Sequence, residues 1–170
     1  MKNSRRRFIK NIAGSSAAIV LGGLGAGFTP KSYRKIMGAN DRIKVAVIGA
    51  NSGMAATFAN QANTEVIYVC DVEEKARQKG INAVVKAGKD APKGENDFRK
   101  MLVDKNVDAT YIATPDHWHA PATIICCAAG KHVYCEKPLS HNPHEGELSI
   151  AAARKYDRIV QMGSQRRSWK

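Results

Sequence analysis

The sequence predicts an α/β fold, a doubly wound sheet of mostly parallel strands, and three observations carry that reading. Short apolar runs recur at Ile43–Ile48, Glu65–Cys70, Ala109–Ala113, Lys131–Cys135 and Arg158–Met162. Helical stretches alternate with them across short connections, as in parallel strands joined by crossover helices. The first run ends in a glycine turn, Gly49 to Gly53, that opens onto an alanine-rich segment.

Taken in order, the chain begins with SRRRFIK at Ser4 to Lys10 and a modest apolar stretch from Ile12 to Phe28. Positive charge, apolar length and then small residues is the order of an export signal. The segment resembles a twin-arginine signal, with Ser4, Arg5, Arg6, Arg7, Phe8, Ile9 and Lys10 on its motif; such signals address folded proteins for export. Residues 1–30 are expected to be a leader read by the twin-arginine export machinery, 31–40 a spacer and 41–170 the folded domain. The expected location is periplasmic, with membrane anchoring if the leader is retained.

After the first strand, Ser52 to Ala62 reads as a helix that Ser52 helps to cap. Strand Glu65–Cys70 leads to a helical stretch from Glu73 to Ala87, acids first and bases later as the helix dipole favours. Gly80 is expected to interrupt it, and Asp90 to Asn96 reads as a loop. Phe98 to Lys105 is a short helix with Phe98, Met101 and Leu102 inward, feeding strand Ala109–Ala113, which Thr114 and Pro115 end. Pro121 fits the first turn of a helix to Ala129, with Gly130 as its stop. After strand Lys131–Cys135, Asn142 and Pro143 supply the cap and first turn of a helix to Tyr156.

The formal charge of +12 raises nucleic-acid binding, but its distribution speaks against it. Residues 1–40 hold eight Lys or Arg and no acid, leaving 19 basic against 15 acidic residues in the rest. No basic stripe with interleaved aromatics follows, so no nucleic-acid partner is expected. Cys70, Cys126, Cys127 and Cys135 form no CxxC pair and read as small packing residues without a disulfide. His117, His119, His132, Cys135, His141 and His144 match no tight ligand spacing, and no metal site is expected.

The chemistry is expected beyond the carboxyl ends of the strands, where doubly wound sheets bind ligands. A pyrophosphate needs unpaired backbone N–H groups at a helix start, approachable only where side chains are absent. Gly49 and Gly53 meet that need in part, although the full fingerprint would also place glycines where Asn51 and Met54 stand. Asn51 tolerates the left-handed backbone such a turn requires. Asp71 follows Gly49 by 22 residues at the end of the second strand. A carboxylate there accepts both hydroxyls of an adenosine ribose and repels a 2′-phosphate, which favours NAD over NADP. An S-adenosylmethionine enzyme uses the same acid and stays open as a competitor. Three further loops lie at that end, Thr114–His119, Glu136–Pro138 and Met162–Arg167. Lys137, beside a carboxylate, is placed to exchange a proton with a hydroxyl or carbonyl.

The segments KVAVIGANSG, DATYIATPDHWHAPATIICCAAGKHVYCEKPLS and RIVQMGSQRRS resemble the nucleotide-binding domain of the Gfo/Idh/MocA oxidoreductases, in their exported branch. The resemblance implies a Rossmann-like sheet with NAD as cofactor. Gly49, Asn51, Ser52 and Gly53 then hold the pyrophosphate, and Asp71 the ribose. Thr114, Pro115, Trp118 and His119 line the nicotinamide side, and Gln161, Gly163 and Gln165 complete the pocket. Glu136 orients the cofactor and Lys137, which serves as the catalytic residue beside a sugar or cyclitol hydroxyl. The glycine turn is one residue shorter than is usual in that branch. The family's C-terminal substrate domain is not in the sequence, so the chain is expected to be the N-terminal NAD-binding part of such an enzyme, truncated or a fragment. A homo-oligomer is compatible with the resemblance. The alternative expectation is a nonenzymatic exported domain kept for binding or assembly.

Overall fold

The computed structural model describes residues 42–164. The expected leader and spacer, and Gln165, lie outside the described residues.

Among the described residues six parallel strands form one sheet in the order β3-β2-β1-β4-β5-β6, with β1 at Ile43–Ile48, β2 at Thr64–Cys70, β3 at Lys93–Glu95, β4 at Ala109–Ile112, β5 at His132–Cys135 and β6 at Val160–Met162. The helices between them are α1 at Met54–Ala59, α2 at Glu74–Lys86, α3 at Phe98–Leu102, α4 at His119–Ala128 and α5 at Pro143–Lys155. Strand order reverses between β1 and β4, and that switch point opens a crevice at the carboxyl ends of the strands.

The two faces of β1 explain why its sequence is almost wholly apolar. Successive side chains of a strand alternate between faces, and here both faces are covered. Ala46 and Ile48 join Phe98, Met101, Cys126 and Ala152 in one core, against α3, α4 and α5. Val45 and Val47 join Ala55, Ala59, Ala76 and Val84 in the other, against α1 and α2. Asn142 caps α5 as expected, its side chain accepting from the Glu145 N–H at 3.0 Å with Pro143 in the first turn. All four cysteines are free and buried. Burial pushes the Cys126 thiol up to about 12 and the Cys135 thiol up to about 11, so neither offers a ready thiolate.

Two local expectations change. The loop over Asp90–Asn96 contains β3, a three-residue edge strand pairing Tyr68, Val69 and Cys70 with Lys93, Gly94 and Glu95. A polar edge strand that short has no hydrophobic alternation to betray it. Gly80 does not interrupt α2, which is continuous. A Cβ on it would stand 2.8 Å from Val69 Cγ1 and 3.1 Å from Ala50 Cβ, so the glycine lets α2 seat closely on β2 and on the turn that follows β1. Alanine gains about 1 kcal/mol in helix propensity, while overpacking costs about 1–3 kcal/mol. Gly80→Ala is therefore expected to lower stability by about 1 kcal/mol in urea unfolding, and a more stable variant would refute close packing as the reason for glycine.

The expected location, periplasmic with membrane anchoring if the leader is retained, is corrected. Among the described residues no helix is long and apolar enough to cross a membrane. The longest of the described helices, α2 and α5, have 13 residues each, about 20 Å of helix against a hydrocarbon core of about 30 Å.

Candidate functional site

β1 delivers the chain to Gly49, whose φ of 91° lies in the left-handed region. A Cβ there would stand 2.4 Å from the Ala113 carbonyl oxygen and 2.6 Å from its carbon. That backbone is held in place, because the Ala113 N–H donates to the Ile48 carbonyl at 2.8 Å. Only glycine lets the two strands meet this closely at the switch point. The turn continues through one 3-10 turn, Ala50–Ser52, and Gly53 at φ 74° redirects the chain into α1. Asn51 and Ser52 are exposed on it. Asn51 Oδ1 accepts from Lys79 Nζ at 3.3 Å. The Ser52 hydroxyl donates to the Gly49 carbonyl at 3.3 Å and accepts from the Met54 N–H at 3.4 Å. Gly53, not Ser52, occupies the N-cap position of α1.

Asp71 is half-buried and ties this turn to the end of β2. Its Oδ2 accepts from the Ala50 N–H at 2.8 Å and its Oδ1 from the Glu73 N–H at 3.0 Å. Arg77 donates to the Asp71 carbonyl at 2.8 Å, closing the β2–α2 corner from the other side. An ionised carboxylate has about four acceptor positions, so two remain for hydroxyls.

On the other side of the switch point, β4 ends at Ile112 and its loop runs on through Thr114 and Pro115. The Thr114 Oγ1 is buried without a hydrogen-bond partner, an uncommon state for a buried hydroxyl. His119 is buried, with Nε2 2.8 Å from the Thr114 carbonyl oxygen and Nδ1 2.5 Å from that of Pro138. It stands between the loops after β4 and β5 and joins them. Trp118 is 39% exposed, edge-on to Phe98 at 6.4 Å between ring centroids, with the Arg99 guanidinium 6.0 Å from its own ring. At the end of β5 the Glu136 N–H donates to the Ile112 carbonyl at 2.8 Å, and Glu136 Oε1 accepts from the Tyr111 hydroxyl at 2.8 Å. Glu136 Oε2 takes a longer contact, 3.4 Å, from the Lys137 N–H. Lys137 is exposed beside it. Gln161 is exposed on β6, opposite Tyr134 in register, and Gly163 donates to the Cys135 carbonyl at 2.7 Å.

Tyr111 escapes the sequence reading, where it passes for one more apolar residue of a buried strand. The available signal was its hydroxyl, since a buried tyrosine O–H finds a partner. Burial, and then the hydrogen bond to Glu136, push this phenol well above its ordinary range. Among the described residues, no group of three or more His, Cys, Asp or Glu is arranged to hold a metal ion. A cavity of about 600 Å³ opens elsewhere, lined by Arg42, Thr64, Glu65, Asp90 and Lys93 at the starts of the strands. It contains none of the residues expected at the site.

A profile of the GFO_IDH_MocA group, described as an oxidoreductase family with an NAD-binding Rossmann fold, matches residues 43–164. The chain belongs to the Gfo/Idh/MocA family. A glycosyl hydrolase family 109 protein of Saccharopolyspora erythraea is 31% identical over 152 residues, covering 79% of this chain and 33% of that protein. An inositol 2-dehydrogenase of Salmonella paratyphi B is 29% identical over 130 residues, covering 74% of this chain and 38% of the relative. The crystal structure of a myo-inositol 2-dehydrogenase from Lactobacillus plantarum shares the fold, with a TM-score of 0.67 at 23% identity over 76% of this chain and 38% of that one. The chain thus spans about a third of the length of these Gfo/Idh/MocA relatives. The matched residues leave out residues 1–42, where a leader was expected, so membership carries no export assignment.

The residues present fit NAD, the cofactor of this family's Rossmann domain. Gly49 and Gly53 keep the turn free of side chains in left-handed backbone, Asp71 offers acceptors at the end of β2, and Thr114 presents an unpartnered buried hydroxyl at the end of β4.

Proposed function

We propose that this chain is the NAD-binding part of an oxidoreductase that moves a hydride between nicotinamide and a hydroxyl-bearing carbon of a sugar or cyclitol. The observation that carries this reading is the meeting, at the carboxyl ends of β1, β4 and β5, of the glycine turn, the Thr114–Pro115 corner and the Glu136–Lys137 pair. Bound NAD supplies the nicotinamide carbon that takes or gives the hydride. Gly49, Asn51, Ser52 and Gly53 hold the pyrophosphate through the turn backbone, and Asp71 accepts the ribose hydroxyls. Thr114, Pro115 and Trp118 flank the nicotinamide, His119 keeps their loop joined to that of Pro138, and Gln161 closes the far side. Lys137 takes the proton of the substrate hydroxyl as the hydride leaves the carbon, and returns it in the reverse direction. The name of the inositol 2-dehydrogenase relative supports a polyhydroxylated substrate.

A second reading is favoured by the glycosyl hydrolase relative. On that reading a sugar hydroxyl would be oxidised transiently, the neighbouring C–H would become acidic and lose its proton as the glycosidic oxygen leaves, water would add to the resulting double bond, and the hydride would return to the carbon it left. The same residues serve, with no net change in NAD.

The test starts from NADH fluorescence with the full chain, which is expected to shift at millimolar cofactor. Cyclitols and aryl glycosides are then supplied with NAD. Net NADH absorbance supports the dehydrogenase, and release of the aryl group without net NADH supports the redox-neutral cleavage. Cofactor binding with neither product is what the NAD-binding part alone would give and moves the substrate test to this part joined to a substrate domain, and no fluorescence change would sink the cofactor assignment of these residues.

A further inference from the structure

We propose that Tyr111 is a positioning residue for the cofactor, its hydroxyl holding the Glu136 carboxylate in place at the nicotinamide end of the site. The proposal rests on the reading above that Glu136 and Lys137 face the nicotinamide.

The geometry begins in the middle of the sheet. Tyr111 lies on β4 between β1 and β5 and is 1% exposed. Its ring is fixed on two sides, tilted against Phe58 with centroids 5.2 Å apart and stacked on Tyr134 at 5.8 Å. A ring held by such packing cannot swing its hydroxyl elsewhere. The O–H reaches the switch point and donates to Glu136 Oε1 at 2.8 Å, a hydrogen bond to a carboxylate and so among the stronger ones. The Ser52 hydroxyl of the glycine turn stands beside the same phenol. The phenol thus lies where the pyrophosphate turn after β1 and the lysine loop after β5 come together.

The consequence for the cofactor is electrostatic. The oxidised nicotinamide ring is a cation and the reduced ring is neutral. A carboxylate fixed beside the ring therefore favours the oxidised form, whereas a carboxylate free to turn toward water does so less. Glu136 is anchored by its backbone to Ile112, but that bond leaves the side-chain torsions free. The Tyr111 hydroxyl supplies a short restraint on those torsions, beside the longer contact from the Lys137 N–H. A purely architectural tyrosine would influence the two redox forms of the cofactor alike, and a positioning tyrosine separates them.

Tyr111→Phe removes the hydroxyl and keeps the ring. With the full chain, NAD⁺ affinity measured by calorimetry is expected to fall about tenfold, the scale of one lost hydrogen bond to a charged group. NADH affinity, read by fluorescence, is expected to change less. In a Glu136→Gln background the further loss from Tyr111→Phe is expected to disappear, because the two substitutions remove one interaction. Equal losses for NAD⁺ and NADH, full affinity in Tyr111→Phe, or losses that multiply in the Glu136→Gln background would each overturn the proposal while leaving the cofactor site standing. Failure of the unsubstituted chain to bind either form overturns the cofactor reading and this proposal with it. Melting temperatures check folding, and if Tyr111→Phe unfolds, Glu136→Gln alone must weaken NAD⁺ more than NADH.

Discussion

Replacing Gly49 by alanine is expected to cost the domain about 2–5 kcal/mol and to abolish dinucleotide binding. Two penalties combine there. An alanine at φ 91° sits in strained backbone, worth about 1–3 kcal/mol. Its Cβ would also meet the Ala113 carbonyl at 2.4 Å, and Ala113 cannot retreat without breaking its bond to Ile48 in the β1–β4 ladder. Against a total stability of roughly 5–15 kcal/mol, such a loss opens the switch point first. Gly53 provides the internal control. Its φ of 74° is also left-handed, but a Cβ there meets nothing within 4 Å, so Gly53→Ala is expected to lose only about 1–2 kcal/mol. Urea unfolding and NADH titration of both variants check this. Equal losses at the two positions would show that backbone strain, not the collision with β4, makes Gly49 indispensable.

The order of strands and helices was legible because both faces of the sheet are covered. Runs such as VAVI and the tight stops at Gly49, Gly130 and Pro115 left few other architectures open. The placement of Asp71 beside the glycine turn was legible for a different reason, its position at the end of a strand after that turn. What could not be read were features fixed by the third dimension alone. β3 has a polar sequence and is a strand only because β2 offers it an open edge. Gly80 looked like a helix breaker, and its reason is the proximity of Val69. His119 was expected along the nicotinamide; its burial between the Thr114 and Pro138 carbonyls shows what holds two site loops together. Tyr111 reads as hydrophobic in a list of residues and acts through an oxygen that only the sheet register carries to Glu136.

Asp71→Asn is expected to weaken NAD binding by about 10–100-fold and to narrow the preference for NAD over NADP. The carboxylate is expected to have two tasks at once. Toward the protein, its oxygens accept from the Ala50 and Glu73 N–H groups at 2.8 and 3.0 Å. An asparagine has one oxygen and one NH₂, so one of those donors would face another donor instead of an acceptor. Ala50 is buried at 1% exposure, and leaving its N–H unpaired costs about 1–3 kcal/mol and loosens the glycine turn. Toward the ligand, the substitution removes the negative charge expected to accept the ribose hydroxyls and to repel a 2′-phosphate. The first effect weakens both cofactors together, since both share the pyrophosphate. The second acts on their ratio, helping NADP relative to NAD. Titrating NADH and NADPH against the full chain and its Asp71→Asn variant therefore separates the two tasks. A common loss with an unchanged ratio would reduce Asp71 to a brace for the turn, whereas a shifted ratio assigns it to the ribose as well.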